Sequence, residues 1–239
     1  MQLYYTRHWP MRFDTAATTT KNKKLCRKEM NRIVDIVDCY NKVAMAYALR
    51  FVDELEHKPM DRSLLRAFLD RNKRKGIWAD LGCGPGHTTN YLYQQGCTEI
   101  VGIDISPEML KIARARFPHL YFQEANFLEL EYPGGHFGAA IAFYAIVNLD
   151  YLQVKLAFKE IYRVLATEGE LLCSFHAGGQ VVCLSSFLEQ PVDIEFMQFE
   201  LRKIREIVEE TGFKVVDIIQ RAPYSIEAQT ERVYIWVRK

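Results

Sequence analysis

The sequence predicts an α/β fold built on a doubly wound, mainly parallel sheet. Between residues 76 and 175, short apolar runs alternate with stretches of helical periodicity, and such βα units join parallel strands through right-handed crossovers. The strand runs are continuously apolar, which is typical of a sheet that helices cover on both faces. With 239 residues, of which 49% are hydrophobic and 26% charged, the chain is long enough to bury a sizeable core.

Two helices are predicted ahead of the sheet. Apolar residues recur at steps of three and four between Ile33 and Leu55, which indicates an amphipathic helix, and a second helix follows Pro59 at 62–71. The 11 residues 221–231 are too few for a crossover helix, so the last two strands are predicted to be antiparallel. The predicted strands are 77–81, 99–103, 121–123, 139–143, 170–175, 213–220 and 232–237, and the helices among them are 87–95, 107–117, 151–165 and 200–211.

The first 29 residues show no apolar periodicity and differ in charge from the remainder. Residues 1–30 hold 7 Lys and Arg side chains against 2 Asp and Glu, whereas the other residues hold 24 against 28. We expect residues 1–29 to form a basic flexible tail, either a solvated extension or a transit peptide. Residues 30–239 are expected to form a single globular domain, with a helical region at 30–75 and the α/β body at 76–239.

Cysteine use, hydropathy and charge argue against several classes of protein. The six cysteines include no C-x-x-C pair and no Cys/His quartet at zinc spacing, so no metal is expected and a reduced, cytoplasmic setting is favoured. The longest uncharged and mainly apolar run, 138–149, is too short to cross a bilayer, so a soluble chain without a membrane partner is expected. The acidic body gives no net electrostatic reason to bind nucleic acid, although a local basic patch stays open. A monomer and a homodimer are both compatible with the sequence.

A glycine-rich loop follows the first predicted strand. Gly82, Gly84 and Gly86 allow a tight turn, on which an anionic or zwitterionic ligand can lie beside the N-terminus of the next helix. Asp104, 20 residues past Gly84 at the end of the second strand, is placed to accept hydrogen bonds from two ribose hydroxyls. A purely structural turn is the alternative. The dinucleotide fingerprint G-x-G-x-x-G requires glycine where this chain has His87, which disfavours nicotinamide or flavin binding.

Two segments resemble the motifs of a known family. Residues 80–86 look like motif I of the class I S-adenosylmethionine-dependent methyltransferases, and residues 102–110 look like their second motif. The likeness covers about residues 33–239. The chain is also similar, more narrowly, to bacterial small-molecule methyltransferases that have a Tyr-x3-Ala-x2-Tyr helix. The matching residues here are Tyr40, Ala44 and Tyr47. The resemblance implies a seven-stranded Rossmann-like sheet with the last strand antiparallel, an N-terminal helical lid at 30–75, and S-adenosyl-L-methionine as the cofactor.

The resemblance also implies roles for individual residues. Asp80 would organise the loop and approach the methionine amino group, and Met109 would cover the adenine ring. The family usually has Asp where this chain has Asn126, which can still accept a hydrogen bond. His87 is either a contact of the methionine carboxylate or a partly exposed first-turn residue, and Cys83 is expected to be a small core residue rather than a reactive thiol. The implied cofactor-binding residues are Tyr40, Tyr47, Asp80, Gly82, Cys83, Gly84, His87, Asp104, Ile105, Met109, Asn126, Phe127 and Tyr144.

Residues after the later strands are candidates for the acceptor site and catalysis. Tyr144 follows the fourth strand and is predicted to lie nearest the sulfonium, and His176 follows the fifth as a candidate general base, because open α/β sheets bind substrates at this edge. A core aromatic ring and a hydrogen-bonded structural histidine are the alternatives. Near the C-terminus, Arg221 and Arg232, with Tyr224, either bind a substrate acid or pair with Glu227. Tyr40 and Tyr47 share a helical face, so they either cover the cofactor or pack in the core.

Three functions are compatible with these observations. The leading one is an enzyme that transfers a methyl group from S-adenosylmethionine to a small-molecule acceptor, mainly by orienting the reactants. A binding protein that kept the fold and the cofactor pocket without turnover is the second, supported by Asn126 and the altered turn at 167–169. Methylation of RNA or protein is the third, disfavoured by the acidic body and the absence of an added recognition domain.

Overall fold

The computed structural model describes residues 32–239, so the predicted tail 1–29 lies outside the described residues. The helices are α1 Arg32–Phe51, α2 Pro59–Asn72, α3 His87–Gln94, α4 Pro107–Arg116, α5 Tyr151–Val164 and α6 Leu201–Glu210, and a short 3-10 helix, Glu54–His57, joins α1 to α2. The strands are β1 Trp78–Leu81, β2 Ile100–Asp104, β3 Tyr121–Glu124, β4 Phe137–Phe143, β5 Leu165–His176, β6 Val181–Phe187, β7 Gln190–Met197, β8 Lys214–Arg221 and β9 Arg232–Arg238.

Seven of these strands form one sheet in the order β3-β2-β1-β4-β5-β9-β8. Neighbouring strands from β3 to β5 pair in parallel, whereas β9 pairs antiparallel with both β5 and β8. The strand β9 is therefore the reversed strand of the seven, which confirms the predicted α/β fold with an antiparallel last strand. The strand order reverses between β1 and β4, and open α/β sheets bind ligands at such a switch point.

Both faces of the sheet are covered, as β1 illustrates. Trp78 packs against Phe68 of α2 with ring centroids 5.2 Å apart, while Ala79 and Leu81 belong to the core that contains Phe158 of α5. All four residues of β1 are buried. The continuous apolar character of this strand therefore follows from burial on two sides.

Helix α1 packs over α4 and contributes buried residues to two hydrophobic clusters. Its Val43 and Ala44 are buried against Met109 of α4, and its Ile36 joins the core on one face of the sheet. The helical region is thus held against the edge of the sheet that carries the glycine loop. Within residues 32–239, no helix combines the length and the apolar character that crossing a membrane requires.

A two-stranded hairpin formed by β6 and β7 is absent from the sequence prediction. It turns at Leu188 and Glu189, whose φ angles are 49° and 64°. Hairpin turns with two left-handed residues usually contain Asn or Gly, so this pair gives no recognisable turn signal. Phe187, beside the turn, lies against Tyr47 of α1 with ring centroids 6.4 Å apart. The hairpin therefore packs on the N-terminal helix.

Candidate active site

The glycine loop turns sharply between β1 and α3. Gly82 and Gly84 have φ angles of 71° and 52°, a left-handed conformation that favours glycine. The backbone nitrogens of Gly82 and Cys83 donate to the carbonyl oxygen of Ile103 at 2.8 and 3.0 Å, which ties the loop to β2. A Cβ at Gly82 would lie 2.5 Å from the Cβ of Ala145, whereas one at Gly84 would meet no atom within 4 Å. The backbone at Gly84 therefore borders open space in which a ligand can lie.

Asp104 is fixed at the end of β2 by backbone hydrogen bonds. Its Oδ2 accepts from the nitrogen of Gly84 and its Oδ1 from the nitrogen of Ser106, both at 2.8 Å. Burial raises the pKa of Asp104, and the backbone hydrogen bonds oppose that rise. Each carboxylate oxygen can accept further hydrogen bonds. The arrangement holds a carboxylate in a fixed orientation beside the loop.

Asp80 and His87 lie at the two ends of the loop. Asp80 is buried and accepts a hydrogen bond from Oγ1 of Thr89 at 2.6 Å, which joins β1 to the first turn of α3. Burial raises the pKa of Asp80 to about 6. The Nε2 atom of His87 lies 2.7 Å from Oε1 of Glu54 in the 3-10 helix. His87 therefore connects the N-terminus of α3 to the helical region.

Tyr40 and Tyr47 of α1 stand beside each other, with ring centroids 6.2 Å apart in an edge-to-face arrangement. The Tyr40 hydroxyl donates to Oδ1 of Asn148 at 2.8 Å, and Nδ2 of Asn148 donates to the backbone oxygen of Glu195 at 2.8 Å. Asn148 thus connects α1 to β7. Asn148 was not predicted as a site residue, because nothing in its local sequence indicates two partners so distant in the chain.

Four further residues that were predicted to bind the cofactor differ in what they contact. Ile105 and Phe127 belong to the partly buried apolar residues around the main core. Oδ1 of Asn126 accepts from the nitrogen of Leu128 at 3.0 Å, so this oxygen already has one partner. Cys83 is buried in a small apolar cluster with residues of α4 and β3, and burial raises the pKa of its thiol well above the ordinary value. The contacts of Cys83 are those of a small core residue.

Most of the predicted site residues line one cavity at the carboxyl edge of the sheet. We call its part around the glycine loop, Asp104 and Met109 the glycine-loop side, and its part around Tyr144 the Tyr144 side. Within residues 32–239, no group of three or more His, Cys, Asp or Glu residues is arranged to hold a metal ion. Of the predicted site residues, Tyr40, Tyr47, Gly82, Gly84, Asp104, Ile105, Met109, Asn126, Phe127 and Tyr144 line the cavity, whereas Asp80, Cys83, His87 and His176 do not.

Tyr144 follows β4 in a backbone conformation that is rare for tyrosine. Its φ angle is 54°, and a residue with a side chain in this region stores about 1–2 kcal/mol of strain. Its nitrogen donates to Oγ of Ser174 at 3.0 Å, and its hydroxyl donates to Oδ2 of Asp61 at 3.3 Å. The surrounding contacts therefore hold the ring at the cavity wall.

His176 lies next to Tyr144, with ring centroids 5.4 Å apart. Its Nδ1 atom lies 2.7 Å from Oγ1 of Thr230. Burial, together with the cations of Arg232 and Lys58, lowers the pKa of His176 to about 3. The lowered pKa makes the ring a weak proton acceptor, and the contact with Thr230 is the kind that a hydrogen-bonded structural histidine makes.

A buried polar cluster lies behind Tyr144. Arg221 donates to both oxygens of Glu227 at 2.7 and 2.9 Å and to Oδ1 of Asp61 at 3.1 Å. The Tyr234 hydroxyl also donates to Asp61 at 2.5 Å. Arg221 therefore pairs with Glu227, one of the two alternatives that the sequence left open. Asp61 was missed because an acidic residue in the first turn of a helix is ordinary and gives no sign of burial.

The comparisons with known proteins give three findings on sequence. A methyltransferase-domain family matches residues 79–169, which include the glycine loop and Asp104. The chain is 30% identical over 168 residues to the putative methyltransferase YqeM of Bacillus subtilis, with 65% of each chain covered. It is 40% identical over 88 residues to a trans-aconitate 2-methyltransferase of Afipia carboxidovorans, covering 36% of this chain and 33% of that protein. The chain thus spans less than two thirds of the length of these relatives.

A solved structure shares the fold over nearly the whole described chain. The magnesium protoporphyrin IX methyltransferase of Synechocystis PCC 6803 with bound SAM has a TM-score of 0.67 and 17% identity. The match covers 90% of this chain and 100% of that one. At this identity the likeness concerns the fold alone.

Proposed function

We propose that this chain, which belongs to the class I S-adenosylmethionine-dependent methyltransferases, transfers a methyl group from S-adenosylmethionine to a small-molecule acceptor. The observation that carries the proposal is the position of Asp104. Its carboxylate bonds the glycine loop through Gly84, lines the cavity, and stands where the second strand ends. A carboxylate in this place suits the hydroxyl pair of a ribose.

The residues on the glycine-loop side support S-adenosylmethionine as the ligand. The backbone at Gly82 and Gly84 would receive the methionine part, Asp104 the ribose, and Met109 the adenine, with Asn126 as a further acceptor. Asp80, buried at β1 just before the glycine loop, would approach the methionine ammonium group. The cofactor, when bound, supplies a methyl group already activated by the sulfonium charge.

On this proposal, the protein contributes orientation and exclusion of water. Tyr144, fixed by its surroundings, would set the position of the acceptor, while α1 closes the cavity through the bond from Tyr40 to Asn148. Orienting two reactants can lower a barrier by about 7–11 kcal/mol in favourable cases. His176, held by its hydrogen bond to Thr230, would support the ring of Tyr144, whose centroid lies 5.4 Å away.

A small molecule is the acceptor class that the site favours. The cavity lies between α1 and the edge of the sheet, with the hairpin packed on α1, so a small molecule fits there better than a folded protein or an RNA helix. The trans-aconitate 2-methyltransferase named above supports the same class. Buried, apolar cysteine side chains such as Cys39 and Cys173 suit a reducing, cytoplasmic setting.

Two measurements on the full chain test the proposal. Calorimetry should detect binding of S-adenosylhomocysteine and no comparable binding of NAD. Incubation with S-adenosylmethionine labelled in its methyl group and with separated small-molecule, RNA and protein fractions of a cell extract should place the label in the small molecules. Cofactor binding without label in any fraction would support a binding protein instead, and label in RNA or protein would support the third function.

A further inference from the structure

Among the described residues that line the cavity, one side chain is charged at neutral pH. That side chain is Asp104, which the proposed function assigns to the ribose of the cofactor. Burial raises the pKa of the Tyr144 hydroxyl well above its ordinary value, so this group stays protonated. An ionised group of the acceptor would therefore meet no opposite charge that the cofactor leaves available in this wall.

The cations behind Tyr144 are balanced by carboxylates and do not line the cavity. This cluster contains three cations and three carboxylates, namely Lys58, Arg221 and Arg232 with Glu54, Asp61 and Glu227. Because the two kinds of charge are equal in number, the cluster provides no net attraction for an acid. A buried charge without a partner is strongly unfavourable.

Apolar side chains line the cavity from two parts of the chain. Ile33 and Ile36 belong to α1, and Phe143 and Leu149 belong to the end of β4 and the segment that follows it. The rings of Phe143 and Tyr144 lie next to each other, with centroids 6.3 Å apart. Such walls favour an apolar ligand, because binding removes apolar surface from water on both partners.

Asn148 is a neutral polar residue in the same wall and is 4% exposed. Its Oδ1 accepts from the Tyr40 hydroxyl, and its Nδ2 donates to the backbone oxygen of Glu195. An amide group has two N–H donors and two oxygen lone pairs. Among the residues that the structure describes, one N–H and one lone pair of Asn148 thus keep no partner. A hydroxyl group can satisfy both, because it donates and accepts.

We infer that the methyl acceptor is an uncharged, mainly apolar compound with a hydroxyl group that Asn148 binds. The inference rests on the proposed function and deepens it by naming the substrate class and a residue that selects it. An alcohol buries its apolar body and keeps its hydrogen bonds in this cavity. An acid or an amine of the same size would lose the hydration of its charge without gaining a counterion.

Binding to the full chain saturated with S-adenosylhomocysteine tests the charge of the acceptor. Cinnamyl alcohol, cinnamate and cinnamylamine form one series of similar shape, and 1-hexanol, hexanoate and hexylamine form another. In calorimetry at pH 7, the alcohol of at least one series should bind about 10-fold or more tightly than both of its ions, because only the alcohol avoids an unpaired charge. The inference is overturned if neither series shows this preference, including the case in which no alcohol binds.

Turnover provides a second test. The small molecules of a cell extract are separated by ion exchange at pH 7 before they meet the chain and labelled S-adenosylmethionine. The label should enter the neutral fraction, which the resins do not retain. Label confined to the acids or the amines would overturn the inference and leave the proposed function intact. If S-adenosylhomocysteine does not bind, or if no fraction is labelled, the proposed function itself fails.

Variants of Asn148 test the assigned residue. Asn148→Leu should weaken binding of the alcohol by about fivefold, the effect of one neutral hydrogen bond, and this loss should exceed any change in affinity for S-adenosylhomocysteine. Asn90→Leu, in α3 and outside the cavity wall, should bind the alcohol as the wild type does.

Asn148→Asp separates contact from structure. It places a carboxylate at the same position, so the amine should gain about 10-fold in affinity relative to the alcohol. A purely structural defect would weaken the alcohol, the acid and the amine alike. If Asn148→Asp leaves the order of the three affinities and their ratios unchanged, Asn148 does not contact the acceptor and its assignment is wrong.

Discussion

The two sides of the cavity are built from different kinds of sequence. The glycine-loop side comes from one continuous stretch, in which β1, the loop, α3 and β2 follow one another and the bond from Gly84 to Asp104 closes the unit. The Tyr144 side depends on segments that are far apart in the chain, because Tyr144 is held by Asp61 of α2 and Ser174 of β5. A short motif can therefore specify the first side, whereas the second depends on how the whole sheet and the helical region pack.

This difference predicts where single substitutions act. Changes on the glycine-loop side should affect cofactor binding and the local fold. Changes on the Tyr144 side should affect the polar cluster and the closure of α1, with smaller effects on the cofactor. Four experiments test that division, from the largest expected effect to the smallest.

Asp104→Ala should weaken binding of S-adenosylhomocysteine most. Two hydrogen bonds from the ribose to a charged acceptor would be lost, at about 1.5–3 kcal/mol each before relaxation. Isothermal calorimetry measures the change, and Glu108→Ala, which removes an exposed acid in the next helix, should leave the affinity unchanged. If Asp104→Ala binds S-adenosylhomocysteine as tightly as the wild type, Asp104 is not part of the cofactor site. The proposed difference between the two sides of the cavity would then be wrong.

Gly82→Ala should destabilise the fold more than Gly76→Ala. Both glycines have left-handed backbones, with φ angles of 71° and 82°, but only at Gly82 would the new Cβ meet another atom, 2.5 Å from Ala145. Strain of about 1–2 kcal/mol is common to both variants, and overpacking adds about 1–3 kcal/mol at Gly82. Urea unfolding measures the free energies of unfolding. Equal losses would show that the loop can move away from Ala145.

His176 should make the free energy of unfolding of the chain depend on pH. Its pKa is lowered from 6.5 to about 3 in the folded chain, so below pH 6.5 the unfolded chain binds the proton more tightly. The contribution of His176 to stability is therefore present above pH 6.5 and is lost as the pH falls, by about 2 kcal/mol between pH 7 and pH 5.

The variant His176→Asn should lack this part of the pH dependence, whereas His119→Asn, at an exposed position, should keep it. Urea unfolding at a series of pH values gives the comparison. If the wild type and His176→Asn have the same slope, His176 is not held neutral by its surroundings, and a role as a base regains support.

Tyr40→Phe should loosen α1 with little effect on the ring contacts of the cavity. It removes the hydrogen bond to Asn148 at 2.8 Å, which contributes about 0.5–1.5 kcal/mol. Protease cleavage between residues 33 and 58 should then become about fivefold faster, if local opening limits cleavage. Met45→Ala, on the exposed face of the same helix, should not change the rate. Added S-adenosylhomocysteine should slow cleavage in the wild type, and equal rates with and without it would favour simple core packing of α1.

The fold was predicted well where short segments decide it. The apolar run 77–81 and the helical pattern from residue 87 match β1 and α3 within one or two residues, and the short gap at 221–231 correctly gave an antiparallel last strand. The hairpin β6–β7 was missed because Leu188 and Glu189 adopt left-handed backbones without being glycine or asparagine. Packing of Phe187 on α1 stabilises what local preference does not indicate.

By itself, the sequence determined how the helices and the seven strands of the main sheet follow one another along the chain, the sharp turn at the glycine loop, and the carboxylate at the end of β2. These features follow from local properties, namely periodicity, the freedom of glycine at positive φ, and a fixed spacing along the chain. The tertiary structure decided which residues the charged side chains contact. Glu54 contacts His87, 33 residues further along the chain, and Asp61 contacts Arg221, 160 residues further along. No local pattern encodes such contacts, because their energy depends on burial and distance in the folded chain.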